Sequence, residues 1–279
     1  MPELPEVETM RRDLKKVARG TTITDVEVLD EKVVVGEPNA FIEGLVGKTI
    51  TIFDRRGKVL ILRLNDGHAL LGHPRMTGRF FGLKSTDELS RFARVVIHLD
   101  NSKRIVFDDI RRFGRLEVVP EAALDEAKLL RNIGADALLC EPDHVVQALR
   151  KRTIPVKVAL LDQKVIAGIG NIYASEILFR CGLDPRTPSR RVTPEEASAI
   201  ACETASVLAE GVKYRGTTIS DYRTMDGERG NFQDRLMVYG REGAPCLREG
   251  CDGLIQKTTL AGRSTYYCNK CQRKGRNRK

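Results

Sequence analysis

Cys246-Leu247-Arg248-Glu249-Gly250-Cys251 and, with sixteen residues between, Cys268-Asn269-Lys270-Cys271 end the patterned part of the chain. Four thiols in two such pairs have the spacing that holds a tetrahedral zinc ion. Between the pairs run the strand-like segments Leu254 to Leu260 and Ser264 to Tyr267, with Ala261-Gly262 where a hairpin tip falls. The stretch therefore predicts a zinc ribbon with one structural Zn2+ on Cys246, Cys251, Cys268 and Cys271, and sets Arg263 at the tip, within reach of a phosphate. Without a metal, so small and aromatic-poor a module would lack a core. The other three cysteines, Cys140, Cys181 and Cys202, stand apart, so the odd total of seven fits a reducing compartment rather than a disulfide framework.

Upstream of the ribbon the apolar period is helical. Thr193-Pro194-Glu195-Glu196 is a capping box with Pro at the first helical position, opening a helix to about Val212. Its face of Ala197, Ile200, Thr204, Val207 and Leu208 reads as core. Pro120 to Leu130, Asp143 to Lys151 and Val156 to Leu161 predict further helices. In Leu160 to Tyr173, Gly168 and Gly170 precede Asn171, read here as the N-cap of a helix through Glu176 to about Phe179. A glycine turn feeding a helix offers bare amides to a phosphate; a tight interhelical turn accounts for the same residues. Residues 215 to 235 are polar and glycine-rich, a linker or a loop that orders over a substrate.

Further upstream the period becomes two. Ile23 to Val28, Thr49 to Phe53, Val59 to Leu64, Ala69 to Leu71, Val95 to Leu99 and Arg104 to Phe107 are short β-rich runs punctuated by turn residues, the pattern of an antiparallel sandwich or barrel. Three basic loops interrupt them: Asp54 to Lys58, His73 to Gly78, and Asp108 to Gly114. Basic loops are ordinarily solvated surface. Met76 and Phe113 change that reading, because an apolar side chain on a basic loop is a candidate wedge between base pairs.

The first residues are Met1-Pro2-Glu3-Leu4-Pro5-Glu6. Removal of Met1 would leave Pro2 with a free secondary amine, which can attack an aldehyde-like carbon and form an iminium. At pH 7.4 roughly a quarter of an α-amino group is neutral, against about one lysine in a thousand, and the more basic proline amine keeps part of that advantage. Glu3 or Glu6 beside it can donate or accept a proton. The same residues also make a good helix start, with Pro5 in the first turn, acids at the positive end, and Val7, Met10, Leu14 and Val17 at helical spacing before Gly20.

The net charge of +9 favours a polyanionic partner such as nucleic acid. No long apolar run and no secretory leader pattern is present, so neither a membrane protein nor an exported one is expected.

Taken together, the segments MPELPEVET, RRGK, H-x-x-M-x-G, RRFG, LLDQKVIAGIGNIYASE, VYGREGAPC and GRSTYYCNKCQ occur in an order that resembles the bacterial formamidopyrimidine-DNA glycosylases over nearly the full chain. The resemblance implies an α+β multidomain fold: an N-terminal β-sandwich with flanking helices at 1–125, a helix-two-turn-helix domain at 130–225 and a zinc finger at 237–273; the basic residues at 274–279 read as a disordered tail adding nonspecific charge. It implies a monomeric cytoplasmic enzyme acting on damaged double-stranded DNA. Such an enzyme removes oxidised purines, 8-oxoguanine and formamidopyrimidines, and nicks the abasic strand by β,δ-elimination. Position by position, Pro2 is the Schiff-base nucleophile, Glu3 the proton donor that opens the sugar, Lys58 a helper in β-elimination, and Arg263 a phosphate ligand acting in δ-elimination. Met76, Arg111 and Phe113 fill the gap left by the everted base, and Arg152, Lys157 and Asn171 hold the bent backbone.

Two departures stand out. The first cysteine pair is usually separated by two residues but here by four, and a phosphate-contacting His is replaced by Phe92, which leaves Arg94 or Arg91 to supply that charge. The related endonuclease VIII branch, which removes oxidised pyrimidines, is the nearest alternative. A noncatalytic zinc protein that binds distorted DNA is a second one, needing neither Pro2 nor Lys58.

Overall fold

Proline at the second position of a helix and a glutamate pair around the first turn start α1 (Leu4–Ala18), where Glu3 and Glu6 form a capping box. The computed structural model that places it describes residues 1–217 and 230–273. The expected loop or linker at 218–229 and the basic tail at 274–279 lie outside the described residues. The chain divides into two compact units, Met1–Asn132 with Tyr214–Asn231, and Ile133–Lys213 with Phe232–Lys279.

In the first unit α1 is followed by β1 (Ile23–Val28), α2 (Pro38–Glu43), β2 (Ile50–Arg56), β3 (Val59–Leu64), β4 (His68–His73), β5 (Arg79–Lys84), β6 (Ala93–Leu99), β7 (Lys103–Asp108) and β8 (Arg115–Pro120). Two four-stranded antiparallel sheets result, ordered β1-β6-β7-β5 and β2-β3-β4-β8. Val7, Met10 and Leu14 of α1 share one core with Leu60 and Leu62 of β3 and Ile97 and Phe107 of the other sheet. The expected sandwich is present, with two strands, β5 and β8, that the sequence reading did not pick out.

The helix expected over Pro120 to Leu130 is instead a 3-10 segment, Glu121–Glu126, with a non-helical Ala123 inside it. The reason is local: the buried Glu117 carboxylate accepts the N–H groups of Lys128 and Leu129, both at 3.0 Å, which takes the backbone off a helical path.

The second unit contains β9 (Ala135–Asp136), α3 (Pro142–Arg150), α4 (Val156–Leu160), β10 (Ile166–Ala167), α5 (Asn171–Arg180), α6 (Pro194–Lys213), β11 (Ile255–Leu260) and β12 (Arg263–Cys268). The capping box of α6 is formed, with Thr193 Oγ1 accepting from Glu196 N and Glu196 accepting from Thr193 N. The hairpin turns at Ala261 and Gly262, both with positive φ (45° and 72°), as a two-residue turn requires. Among the described residues no helix is long and apolar enough to cross a membrane.

Candidate functional site

In the first unit the start of α1 is sealed. Pro2 is buried and Glu3 and Glu6 are each 1 % exposed, while Met1 is exposed. Glu6 Oε2 accepts the Glu3 N–H at 2.8 Å, and Glu6 Oε1 accepts the N–H and the hydroxyl of Thr217 at 2.7 and 3.1 Å. Both acids beside Pro2 are engaged: the Glu3 side chain accepts the Glu6 N–H of the capping box, while Glu6 ties the helix start to Thr217.

Lys58 sits in the turn between β2 and β3 and is buried. The turn is held from α1: Arg55 donates to Gly57 O at 2.8 Å and to Glu8 on α1 at 3.3 Å. Burial pushes the Glu8 carboxyl up, but hydrogen bonds from Arg11 and Arg12 and the charges of Arg11 and Arg55 outweigh it and hold the group at about 2. Arg55 is thus an ionic strut from the helix to the lysine turn.

His73, which sequence reasoning did not single out, belongs to the same surface. Burial, then the Arg75 and Lys58 charges, push its imidazole down to about 3. Its Nδ1 lies 3.0 Å from the Arg75 N–H and must accept from it, so the neutral ring carries its proton on Nε2 and is a donor.

The two candidate wedge loops are built as one piece around Asp109, which is fully buried. Its Oδ1 accepts from the Thr77 hydroxyl and from Arg111 N (3.1 Å), and its Oδ2 from Gly114 N (2.7 Å). Thr77 in turn accepts from Arg111 N at 3.0 Å. Gly78 and Gly114 both approach the Phe107 ring, where a Cβ at Gly114 would collide with it. The outcome is a half-buried Met76, and a Phe113 that is 46 % exposed with the Arg111 guanidinium 4.8 Å from its ring centroid. A large exposed aromatic on a braced loop is what insertion into a base stack needs.

Arg94 lies in the same region but faces inward. Its Nε donates to Asp109 O at 2.9 Å, and Asp30 is 4.0 Å away. Arg91 is exposed and stacks on Phe92, 4.6 Å from the ring centroid. Of the two arginines it is the better placed to meet a phosphate.

In the second unit, Lys157 on α4 is fully buried, and its ammonium donates to Ser264 O (3.1 Å) and Thr265 Oγ1 (3.0 Å). Asn171 Nδ2 donates to the same Ser264 carbonyl at 3.0 Å. Both residues converge on the strand position next to the exposed Arg263. Arg152 is half-buried, donating to Ala148 O at 2.7 Å with Asp162 3.6 Å away. Asn171 is the first helical residue of α5, and Gly170 is the N-cap, which corrects the sequence assignment. The glycine turn is not bare at Gly168, whose N–H goes to Gln163 Oε1 at 2.9 Å.

A buried carboxylate that sequence reasoning missed organises this end. Glu176 accepts three consecutive backbone N–H groups, Met237, Val238 and Tyr239, at 2.9, 3.1 and 2.9 Å. Burial raises its pKa, opposed by those three donors. The turn so formed carries the Tyr239 hydroxyl to 3.4 Å from Asn171 Nδ2.

The four cysteine sulfurs of the ribbon all lie within 4.8 Å of one another, with Cys246–Cys271 at 3.8 Å and Cys251–Cys268 at 3.7 Å. A tetrahedron with Zn–S bonds of about 2.3 Å requires sulfurs about 3.8 Å apart. The donor set and its spacing fit zinc, wider first knuckle included.

Three family models match along the chain: the N-terminal domain of formamidopyrimidine-DNA glycosylase at residues 1–116, its H2TH domain at 133–223, and a zinc finger found in FPG and IleRS at 243–273. The chain is 42 % identical to the formamidopyrimidine-DNA glycosylase of Ruegeria pomeroyi, covering 98 % of this chain and all of that one. It is also 42 % identical to that of Pelotomaculum thermopropionicum, covering 98 % and 99 %. Among solved structures, Lactococcus lactis Fpg in complex with abasic-site DNA superposes with TM-score 0.91 at 30 % identity, covering 98 % of this chain and 100 % of that one. MutM (FPG) from Thermus thermophilus gives 0.87 at 39 % identity, covering 99 % and 100 %.

Proposed function

The chain belongs to the formamidopyrimidine-DNA glycosylase family, and from that premise we propose how its residues excise a damaged base and cut the strand. It is a DNA glycosylase of base excision repair with abasic-site lyase activity, acting on oxidised purines in duplex DNA. The observation that carries the residue assignment is the sealed helix start, where Glu3 lies beside Pro2 and Glu6 is consumed by three donors.

The target carbon C1′ is inaccessible in a stacked duplex, so the nucleotide must leave the helix, at a cost of a few kcal/mol. Met76, Arg111 and Phe113 enter the vacated space and offset part of that cost. With Met1 removed, the Pro2 amine attacks C1′, the base departs, and Glu3 donates the proton that opens the sugar ring. The iminium so formed acidifies the C2′ protons; Lys58 assists loss of the 3′ phosphate, and Arg263 the loss of the 5′ one. Arg91 and Arg152, with His73 as a neutral donor, contact the bent backbone, and Lys157 and Asn171 hold the strand that bears Arg263. When bound, the Zn2+ crosslinks four thiolates and enters no chemical step. The enzyme works as a monomer in the cytoplasm.

Borohydride reduction on abasic duplex DNA tests this directly. The Met1-processed protein should become covalently linked to the strand, and a form that retains Met1 should not. Equal trapping by both would move the nucleophile to a lysine such as Lys58, and no trapping by either would leave a noncatalytic DNA-binding protein.

A further inference from the structure

The first cysteine pair is two residues wider than the second, yet the sulfur quartet closes to the same spacing. The wider loop also makes contacts beyond the quartet. The backbone of Arg248 is strung between the two ligands: its N–H lies 3.4 Å from Cys246 Sγ, and its carbonyl accepts the Cys251 N–H at 3.0 Å. Its side chain leaves the knuckle altogether. The guanidinium donates to Phe179 O and, at 3.3 Å, to Arg180 O, and stands 5.0 Å from the Phe179 ring centroid. Those carbonyls belong to the last turn of α5, where acceptors are left over and the helix dipole is negative. A forked cation stacked on an aromatic is well suited to cap such an end.

The other end of α5 begins with Asn171, bonded to Ser264 beside Arg263. The ribbon thus grips α5 at both ends, from the first knuckle through Arg248 and from the hairpin through Ser264.

We infer that Arg248 is a positioning residue that couples the metal knuckle to α5, so that metal retention and the phosphate grip of Arg263, whose strand Asn171 holds, depend on one side chain that touches neither. The grip half of the inference rests on the DNA-contact roles proposed above; the metal half does not.

The test uses the full-length zinc-loaded protein and its Arg248→Ala and Arg248→Lys variants. Loss of a charged hydrogen-bonded cap should speed zinc transfer to excess EDTA about tenfold in Arg248→Ala, with Arg248→Lys intermediate, since it keeps the charge but not the fork. For zinc-loaded Arg248→Ala, the dissociation constant for a duplex containing a tetrahydrofuran abasic analogue should rise about tenfold, while the single-turnover nicking rate at saturating abasic DNA stays within about twofold. Zinc transfer at the parental rate in both variants overturns the inference. So does weakened DNA binding with unchanged zinc transfer, which would make Arg248 a direct DNA contact. If Arg248→Ala does not fold, the Arg248→Lys rate decides alone. A parent that fails borohydride trapping would remove the proposed function while leaving the zinc-transfer arm to be read by itself.

Discussion

Glu6 accepts the backbone N–H of Thr217 at 2.7 Å, closing a gap of 211 residues of sequence. The same carboxylate takes the Thr217 hydroxyl and the N–H of Glu3, so three donors share two oxygens inside a buried site. A glutamine there has only one acceptor oxygen and turns an amino group toward a donor. Glu6→Gln should therefore cost about 1–3 kcal/mol and lower the melting temperature by roughly 3–10 °C. Trapping on abasic DNA should slow as well, because the Glu3 backbone loses its anchor. A calorimetric melt matching the parent would show that the carboxylate is dispensable.

Glu8 gives a pH prediction with a definite sign. Its folded pKa of about 2 lies below the ordinary 4.5, so its ion pairs stabilise the fold fully above about pH 4.5 and are lost as pH falls toward 2. The stability difference between parent and Glu8→Gln should be flat above pH 5 and shrink steadily below 4.5. Urea unfolding midpoints measured from pH 7 to 3 would reveal a different group if the difference changed near neutrality instead.

Asp109 and Thr77 tie the two wedge loops into one body. Met76→Ala removes a wedge directly, and Thr77→Val loosens both loops without touching either tip. Both should reduce excision of an oxidised purine from a paired duplex about tenfold or more, with much less effect on nicking at a preformed abasic site, where no base needs extruding. Equal losses on both substrates together with a lower melting temperature would place Met76 in the core instead.

The replacement of a phosphate-contacting His by Phe92 can be located by salt dependence. Arg91→Ala should flatten the log–log salt slope of DNA affinity by about 0.9, one phosphate's worth. Arg94→Ala should leave the slope and lower stability, because Arg94 holds Asp109 O from within. The reverse pattern would restore Arg94 as the contact.

How far these features were legible in sequence varied with their physics. The ribbon was plain because metal ligands impose spacing on side-chain types, and even its turn at Ala261-Gly262 could be placed. The strand Arg79–Lys84 was hidden by a glycine and by basic ends, and Arg115–Pro120 by running into a proline. Pro2 stands out in sequence by its chemistry, with Glu3 and Glu6 both open beside it, whereas the role of Lys58 comes only from the resemblance. The structural parts of Glu6, Asp109 and Glu176 leave no mark in the sequence: Glu6 and Glu176 accept backbone N–H groups from segments far along the chain, and Asp109 joins the nearby N–H groups of Arg111 and Gly114 to the Thr77 hydroxyl. For Lys157 the resemblance implies a hold on the bent backbone, and only the structure shows its buried ammonium bonded to Ser264 O and Thr265 Oγ1.

The return of Tyr214–Asn231 to the first unit also sets a clock on the ribosome. When Asn132 has been made, the β-sheets of that unit are complete in sequence, yet the donors that Glu6 awaits belong to Thr217. At about 5–20 residues per second the Thr217 donors follow roughly 4–17 s later. Until then Glu6 lacks its Thr217 partners, so the start of α1 gains its last hydrogen bonds only after helices α3 to α6 have been made.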